Sequence, residues 1–403
     1  MANSLHDQLP LLVSPLSPTS HFWPLWPLLP LWPLRLAPGV SRGVQSALTF
    51  SARFRLARGA SRGALTATIL ALTLHAQYRP ALPNYKYDFP KDHYSHPDFQ
   101  TEWWYYTGNL KDTQGRDLGF ELTFFRQATD RTAKPSTWAV RDIYLAHLAL
   151  TDITGQRFFH SERLNRQGPG LAGIEETTKR VWNGNWQVTW QSENQIQLQA
   201  IDPRFTLQLT LTNQKPPAIH GENGVSQKAK GEGRASHYVS LTRLKVSGEV
   251  TIGEDKRQVT GQAWMDHEFF THQLDAEQTG WDWMSLQLND GRELMIFQLR
   301  RRDGTIDPFS SGTLIERDGR TRHLSQIKMT PGRRWKNYPV EWTVEAAGLK
   351  LQVKTRLDNQ ELVSKQPQSP TYWEGSVAIT GDATGLGYLE MTGYEKPFSF
   401  GNP

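Results

Sequence analysis

The 403-residue sequence contains no cysteine, which excludes disulfide bonds. This absence is compatible with export to an oxidising compartment and equally with the cytosol, so it leaves the redox compartment open. Beyond Trp103 the sequence also has no long amphipathic helical pattern. Aromatic residues are abundant instead, with 15 Trp, 12 Tyr and 17 Phe. A chain of this length is long enough for two domains, each with a core of its own.

The main part of the chain lacks an excess of charge of either sign. Residues 1–80 contain seven Arg, no Lys and one acidic residue, and this segment accounts for the formal net charge of +5. The remaining residues contain 38 basic and 39 acidic side chains. Because a nucleic-acid surface needs an excess of basic groups, we expect no nucleic-acid partner.

Residues 1–80 are predicted to be a leader rather than part of a folded domain. Phe22–Leu36 is apolar, but its frequent prolines remove helix donors and make it a poor membrane helix. An arginine cluster from Arg53 to Arg62 then precedes the short apolar run Ala64–Ala76, an order typical of a signal peptide. This signal-like segment, 53–76, predicts a periplasmic or secreted protein. It lies far from Met1, which favours an internal start or a non-structural extension over an ordered N-terminal region.

From Trp103 onward, apolar and polar residues alternate with a period of two, as in half-buried strands. Leu118, Phe120, Leu122 and Phe124 share one face of such a strand, and Phe205, Leu207, Leu209 and Leu211 share another. Asp-Gly pairs at Asp290, Asp303 and Asp318 supply turns between predicted strands. Many short strands joined by turns predict an all-β sandwich or barrel.

Two segments of the chain resemble each other. The stretch that starts at Glu102, EWWYYTGNLKDTQGRDLGF, resembles GWDWMSLQLNDGRELMIF, which starts at Gly280. We interpret this similarity as a repeated barrel; the alternative is two unrelated hairpins that converged on a similar turn. The segment 216–233 is rich in proline and glycine and is predicted to be a long loop. With a break expected between residues 261 and 280, we assign domains to residues 84–262 and 263–403.

Four stretches together are similar to one known family: Phe89–Leu110, Ser236–Val250, Ala263–Phe269 and Tyr372–Tyr394. In order and combination they resemble the hydroxyneurosporene synthase (carotenoid 1,2-hydratase, CrtC) and AttH-like family. The resemblance implies an all-β fold of two tandem lipocalin-like antiparallel β-barrels. It also implies a small apolar ligand, such as a lipid, an isoprenoid or a polyene, and hydration chemistry without a cofactor.

The hydratase pattern of this family is a His-x-Trp followed downstream by Tyr-x-Asp. The resemblance places it on His237-Tyr238-Val239 and Trp264-Met265-Asp266. The candidate catalytic residues are therefore Asp266 as proton donor, His237 as its partner, Trp264 and Tyr238. Val239 and Trp264 depart from the pattern, since they stand where the family has Trp and Tyr. The departures favour the exported AttH-like branch, whose members are often described as predicted secreted hydrolases.

Further candidates for ligand binding lie near the first aromatic block and beside Asp266: Glu102, Trp103, Trp104, Tyr105, Tyr106 and His267. Each candidate also has a structural interpretation. Asp266 and His267 could cap a turn, His237 could be a solvated strand residue, and Glu102 could point outward. The four aromatic residues could belong to the core and rim of a barrel.

A metal site and a serine nucleophile are both disfavoured by spacing. His267 and His272 in HEFFTH are five residues apart rather than four, and the local pattern is not helical, so the zinc-protease geometry is not met. We therefore predict no metal ligand. The sequence also contains no G-x-S-x-G motif, so a hydrolase of that type has no support.

Three functions follow as hypotheses. The first is an enzyme that hydrates or isomerises an apolar ligand, which requires Asp266 and His237 to converge in a cavity. The second is a non-catalytic lipid carrier or an accessory protein of a membrane-associated transporter, which requires a deep apolar barrel without inward ionisable groups. The third is a structural envelope protein with filled barrels. The oligomeric state is left open.

Overall fold

The computed structural model describes residues 78–129, 136, 139–366 and 369–398. The predicted leader with its signal-like segment lies outside these residues, apart from residues 78–80. A single short 3₁₀ helix, Lys91–His93, is the only helical element of the described part, and all other regular structure there is β. No helix in the described ranges is long and apolar enough to cross a membrane.

The first sheet contains thirteen strands and forms a nearly closed antiparallel barrel, hereafter barrel 1. Its strands are β1 (Thr101–Asp112), β2 (Asp117–Ala128), β3 (Asp142–Asp152), β4 (Arg157–Arg166), β5 (Ala172–Glu175), β6 (Arg180–Asn183), β7 (Trp186–Ser192), β8 (Gln195–Ile201), β9 (Phe205–Asn213), β10 (Ala218–Ile219), β11 (Ser226–Gln227), β12 (Ala235–Ile252) and β13 (Asp255–Phe270). Around the sheet the order is β4-β3-β2-β1-β13-β12-β9-β8-β7-β6-β5, and β10 and β11 pair with β12. The segment predicted to be a loop, 216–233, thus contains two very short strands.

The second sheet contains ten strands and forms barrel 2, in the order β17-β16-β15-β14-β25-β24-β22-β21-β18, with β23 paired to β24. A separate two-stranded ribbon joins β19 and β20. The strands of this half are β14 (Gln278–Leu288), β15 (Glu293–Arg301), β16 (Ser311–Ile315), β17 (Thr321–Leu324), β18 (Ile327–Pro331), β19 (Arg334–Trp335), β20 (Tyr338–Pro339), β21 (Glu341–Ala346), β22 (Leu349–Thr355), β23 (Glu361–Leu362), β24 (Tyr372–Gly381) and β25 (Gly385–Met391).

Side chains fill the interior of each barrel. The predicted faces Leu118 to Phe124 and Phe205 to Leu211 are buried in one cluster that draws on strands around the whole of barrel 1. A second cluster, which includes Met284, Leu286 and Trp373, fills barrel 2. The predicted fold of two tandem lipocalin-like barrels is therefore confirmed, and its period-two pattern is explained by one face of each strand packing inward. The interiors themselves leave little room for a ligand.

The two similar sequence segments form equivalent hairpins, β1–β2 and β14–β15. In each barrel the first strand of the hairpin also pairs with the last strand of its own sheet, β13 or β25. The turns contain Gly115 and Gly291 at φ of 81° and 89°, a conformation that favours glycine. The similarity between the segments thus corresponds to a shared position in two barrels.

The change from one sheet to the next comes after β13. The assigned boundary between residues 262 and 263 falls inside β13, whose pairing with β1 is continuous from Val259 to Phe270. A strand is held in its sheet by the backbone hydrogen bonds to its neighbours, so both halves of β13 belong to barrel 1. Barrel 2 begins with β14 at Gln278.

The outer faces of the two barrels pack against each other within one compact unit. Across this interface, Asn109 Nδ2 donates to the Gly387 carbonyl over 3.1 Å, and Gln287 Nε2 donates to the Thr242 and Ala263 carbonyls over 2.7 and 2.9 Å. A buried apolar cluster with residues from both barrels, among them Tyr105, Trp264 and Trp283, accompanies these bonds. The interface between the barrels is thus part of the protein interior, and it contains the cavity described next.

Candidate active site

Strand alternation divides the predicted site residues between two faces of barrel 1. In β13, Asp266 lies opposite Tyr105 of β1 and Ser240 of β12, whereas His267 lies opposite Trp104 and Val239. Directly opposed residues share a face, and neighbours along a strand do not. Asp266 therefore faces barrel 2, together with Trp264 and Glu268. His267 faces the interior side of barrel 1.

A cavity of about 60 Å³ lies between the barrels, with Asp266, Glu268 and Glu390 on its walls. Residues of both barrels supply its largely aromatic lining, among them Trp103, Tyr105, Phe125, Trp281, Trp283 and Phe297. A water molecule needs about 10–15 Å³ of such space, so the cavity as it stands holds only a few waters. A ligand the size of a polyene requires the walls to move or part of the ligand to extend outside.

Asp266 is held by three hydrogen-bond donors at the cavity wall. Tyr238 Oη donates to Oδ2 over 2.5 Å, Trp264 Nε1 donates to Oδ1 over 2.5 Å, and Ser240 Oγ also donates to Oδ1. Burial raises the pKa of Asp266 to about 7, against these hydrogen bonds, which lower it. Near neutral pH the group therefore exists in both protonation states, which suits a proton donor.

The donors to Asp266 are themselves fixed by residues of both barrels. Trp283 Nε1 donates to Tyr238 Oη over 2.9 Å. His220 Nε2 is 2.7 Å from Ser240 Oγ, and His220 Nδ1 is 2.9 Å from Thr313 Oγ1. Because burial lowers the pKa of His220 to about 3, its ring is neutral, and donation by Ser240 to Asp266 assigns the proton to Nε2. The arrangement holds the Asp266 carboxyl in one orientation.

His237 is not brought together with Asp266, which corrects the predicted pair. It lies opposite Phe269, three positions from Asp266 in the register, and thus on the other face of the sheet. Its Nδ1 donates to the Gly224 carbonyl over 3.0 Å, and its ring lies 4.3 Å from that of Tyr85. Burial lowers the pKa of His237 to about 4. His237 is a neutral packing residue of barrel 1.

Glu102 and His267 also lie away from the cavity, in a buried polar cluster on the interior side of barrel 1. Glu102 accepts hydrogen bonds from His96 Nδ1 over 2.8 Å, from His267 Nε2 over 2.9 Å and from Arg126 Nε over 3.1 Å. Burial alone would raise the pKa of Glu102, but the Arg126 guanidinium and the histidine hydrogen bonds lower it well below its usual value. Glu102 is therefore an ionised structural carboxylate.

His96, Glu102 and His267 also form the one group among the described residues that could offer three ligand atoms to a metal ion. The Arg126 guanidinium is bonded to the same carboxylate, and a cation beside it would meet like charge. The hydrogen bonds already satisfy both oxygens of Glu102. The set thus fits a hydrogen-bonded cluster better than a metal site.

The four aromatic residues of β1 separate in the same way. Trp103 and Tyr105 line the cavity, whereas Trp104 and Tyr106 belong to the core of barrel 1. Trp104 Nε1 donates to the His93 carbonyl over 3.1 Å, so its polar atom is satisfied there. Of the predicted residues, Asp266, Tyr238, Trp103 and Tyr105 line the cavity, and Trp264 contacts Asp266 behind the wall.

Sequence reasoning missed the other ionisable residues at the cavity: Lys228, Glu268 and Glu390. Lys228 comes from the segment predicted to be a loop, where no periodicity indicates direction. The position of Glu390 could have been predicted from the alternation of residues in β25. Its neighbours Leu389 and Met391 fill barrel 2, so Glu390 lies on the opposite face of the strand. An acid on the opposite face of such a strand points toward whatever covers the barrel from outside.

Glu390, which is half-buried, also belongs to a group of three carboxyl groups with the buried Glu121 and Glu374, contributed by β25, β2 and β24. Burial raises the pKa of Glu121 to about 7 and that of Glu390 to about 8, and it raises the pKa of Glu374 well above its usual value with help from the other two. Below pH 7 these three carboxyl groups therefore favour their neutral forms.

The fold and site define a class: a tandem lipocalin-like barrel protein with a carboxyl-lined aromatic cavity between the barrels. The sequence matches the AttH-like family over residues 80–394, and the chain belongs to that family. The solved structure of an AttH homologue from Nitrosomonas europaea is 34% identical, with a TM-score of 0.72, and the match covers 78% of this chain and 99% of that one.

Kievitone hydratase from Nectria haematococca shares the fold at 16% identity, with a TM-score of 0.60 and coverage of 79% of this chain and 98% of that one. No curated protein matches the sequence.

Proposed function

We propose that the cavity between the barrels binds an apolar ligand and that Asp266 protonates it, in a hydration or isomerisation without a cofactor. The observation that carries the proposal is the state of Asp266, a buried carboxyl group at an aromatic cavity with a pKa raised to about 7. A carboxylic acid that is protonated near neutral pH is the donor such chemistry needs. The shared fold of a hydratase supports the same class of reaction.

In this reaction Asp266 transfers its proton to one carbon of a C=C bond, and a carbocation forms at the other carbon. Aromatic faces such as Trp283 and Tyr105 stabilise the positive charge. A water molecule then adds to the cation and loses a proton to the Asp266 carboxylate, which restores the acid. Loss of a proton from carbon instead gives the isomerised alkene, so one acid serves both outcomes.

The filled barrels weigh against a carrier that stores its ligand inside a barrel, because both interiors are occupied by side chains. A filled interior also fits the structural alternative. That alternative does not account for a buried ionisable group whose three donors are fixed at a cavity wall, since burial of a carboxyl group costs stability. Such costs are concentrated at functional sites.

The test compares Asp266→Asn with the wild-type protein and with the exposed control Asp318→Asn. Compounds are extracted from protein purified from its own host and incubated with ligand-free protein, and mass spectrometry detects the gain of one water or an isomer. We expect turnover to fall by about 10²-fold or more in Asp266→Asn with ligand affinity little changed. Unchanged turnover would rule out Asp266 as the acid and favour a carrier.

We also propose that the segment 53–76 directs the protein to the periplasm or the outside of the cell. Its support is the order of arginine cluster, short apolar run and small residues. Residues 1–80 fused to alkaline phosphatase, an enzyme that needs disulfides, should yield active phosphatase only where export occurs. Deletion of residues 64–76 from the fusion should abolish that activity, and persistence of activity would contradict the proposal.

A further inference from the structure

Lys228 extends from barrel 1 into the same cavity, and its backbone is fixed on both sides. It follows β11, its backbone N–H donates to the Arg234 carbonyl over 3.0 Å, and its carbonyl accepts a hydrogen bond from Gln278 Nε2 over 2.8 Å. Only 5% of the residue is exposed. The side chain is therefore held inside the protein rather than free in solvent.

The surroundings of the Lys228 ammonium are aromatic. Nζ lies 3.7 Å from the centre of the Phe297 ring and 5.1 Å from that of Tyr238. Within the described ranges Nζ forms no hydrogen bond and no ion pair. Lys215, by contrast, donates to Glu293 and to the Gly291 and Glu316 carbonyls. An ammonium has three donors, and a buried one without acceptors is costly.

Near neutral pH, the carboxyl groups that face Lys228 are weak ion-pair partners for its ammonium. Burial lowers the pKa of Lys228, while Glu268 and Asp266 raise it. Burial also raises the pKa of Asp266 and of Glu268, so both hold their protons more firmly than ordinary carboxyl groups. The neighbouring His220 is neutral, because burial lowers its pKa to about 3. The cavity therefore places the Lys228 amino group beside aromatic walls, with no strongly ionised carboxylate already bound to it.

We propose that Lys228 makes this cavity a site for ligands with an apolar body and a carboxylate, with the ammonium binding the carboxylate. The inference rests on the proposed function in that it uses the same cavity. A carboxylate would accept the charge-assisted hydrogen bonds that Lys228 lacks, and the aromatic walls would contact the part of the apolar body that enters the cavity, while the rest extends outside or moves the walls apart. A pure hydrocarbon would leave the ammonium unsatisfied.

The experiment uses two matched aromatic probes, 2-naphthoate and the neutral 2-naphthalenemethanol, with the full chain at pH 6. Binding is followed by calorimetry and by quenching of tryptophan fluorescence, since Trp103, Trp281 and Trp283 line the cavity. The test variants are Lys228→Met and Lys228→Gln, which keep most of the length of the side chain and remove its charge. The matched control is Lys230→Met, an exposed lysine on the same loop.

We expect the wild-type protein and Lys230→Met to bind 2-naphthoate about tenfold more tightly than the alcohol, since a hydrogen bond to a charged group is worth that much or more. Both Lys228 variants should lose this preference and bind the alcohol as before. The naphthoate affinity of the wild type should also fall between pH 6 and 9, as Asp266 and Glu390, with pKa values of about 7 and 8, become anionic.

A preference that survives in both Lys228 variants, or no preference in the wild type, would overturn the inference. Binding of neither probe to the wild type would also overturn it. Leu299→Trp, which narrows the cavity, separates this failure from that of the proposed function. If both probes bind equally and Leu299→Trp abolishes this binding, only the role of Lys228 is refuted. If Leu299→Trp leaves the binding unchanged, the result counts against the cavity as the ligand site.

Discussion

The carboxyl group of Asp266 is subject to opposing influences, of which burial is the largest. Burial favours the neutral acid, and the hydrogen bonds from Ser240, Tyr238 and Trp264 favour the carboxylate. The result is a pKa of about 7 in the folded chain, against 3.8 as the ordinary value. Between these two values the native state binds more protons than the unfolded state, so this group lowers the free energy of unfolding as pH rises from about 4 to 7.

Replacing Tyr238 by Phe removes one donor that favours the Asp266 carboxylate. We expect the pKa of Asp266 to rise further, by about one unit, and the pH-dependent loss of stability to continue to higher pH. The infrared band of the protonated carboxyl group, followed from pH 5 to 9, measures the titration directly, with Asp266→Asn identifying the band.

Tyr87→Phe is the matched control for this substitution. Tyr87 Oη donates to the Gly224 carbonyl over 3.0 Å, beside His237 on the other face of the sheet, so its loss should leave the Asp266 titration unchanged. An Asp266 pKa that stays the same or falls in Tyr238→Phe would show that burial alone sets the value.

At the scale of single residues, the resemblance to a family pointed to three residues that meet in the structure and missed others that lie beside them. Asp266, Tyr238 and Trp264 are identified by a motif on two strands, and they meet at one point of the structure. Lys228 could not be predicted because its direction depends on a hydrogen bond that its backbone N–H donates to the Arg234 carbonyl and on one that its carbonyl accepts from Gln278 of β14. Local sequence patterns contain no information on such contacts.

At the scale of elements, the register between β12 and β13 decides whether the His237 side chain can contact Asp266. The motif alone suggests His237, but the register puts Ser240 and Tyr238 on the Asp266 side and His237 on the other. The period-two pattern predicted which residues share a face within a strand. It could not predict the register between strands, because register depends on partners far along the chain.

The substitution His237→Asn tests this assignment. Asn Nδ2 can replace His Nδ1 as donor to the Gly224 carbonyl, while the ring contacts with Tyr85 and Phe269 are lost. We expect the free energy of unfolding to fall by about 1–2 kcal/mol, with the pKa of Asp266 unchanged. Urea unfolding and the infrared titration check the two expectations.

The comparison variant for His237→Asn is Ser240→Ala, on the opposite face. It should raise the pKa of Asp266, since a donor to the carboxylate is removed. A shift of the Asp266 titration in His237→Asn as large as in Ser240→Ala would restore His237 as the partner of the acid.

The close approach of β2 to barrel 2 gives a second prediction at this scale. A Cβ at Gly119 would lie 2.9 Å from Tyr388 Oη and 3.3 Å from Ser376 Cβ, both across the interface. Gly119→Ala should therefore destabilise the protein by about 1–3 kcal/mol through overpacking. Gly168→Ala, where the nearest atoms are 3.4 Å away in ordinary contact, should change the free energy of unfolding little. Equal effects of the two substitutions in thermal unfolding would show that the barrels can separate slightly without cost.

At the scale of the whole molecule, a buried ion group ties the two barrels together. Glu293 of barrel 2 is fully buried, and it accepts hydrogen bonds from Lys215 Nζ over 2.7 Å and from Arg243 Nε over 2.5 Å, both from barrel 1. Such a contact is strong only while both signs are present, because a buried charge without its partner has lost its hydration. The two barrels should therefore unfold in one cooperative transition.

Glu293→Gln leaves two cations at the interface without their carboxylate, and we expect the free energy of unfolding to fall by roughly 3–5 kcal/mol. The control is Glu341→Gln, because Glu341 also contacts two cations, Arg333 and Lys354, but at the surface, where the expected loss is below about 1 kcal/mol. Urea unfolding followed by circular dichroism and by tryptophan fluorescence compares the variants. Similar losses in both, or separate transitions already in the wild type, would show that the interface does not couple the barrels. In that case the cavity between them would lack the rigid walls on which an acid of fixed orientation depends.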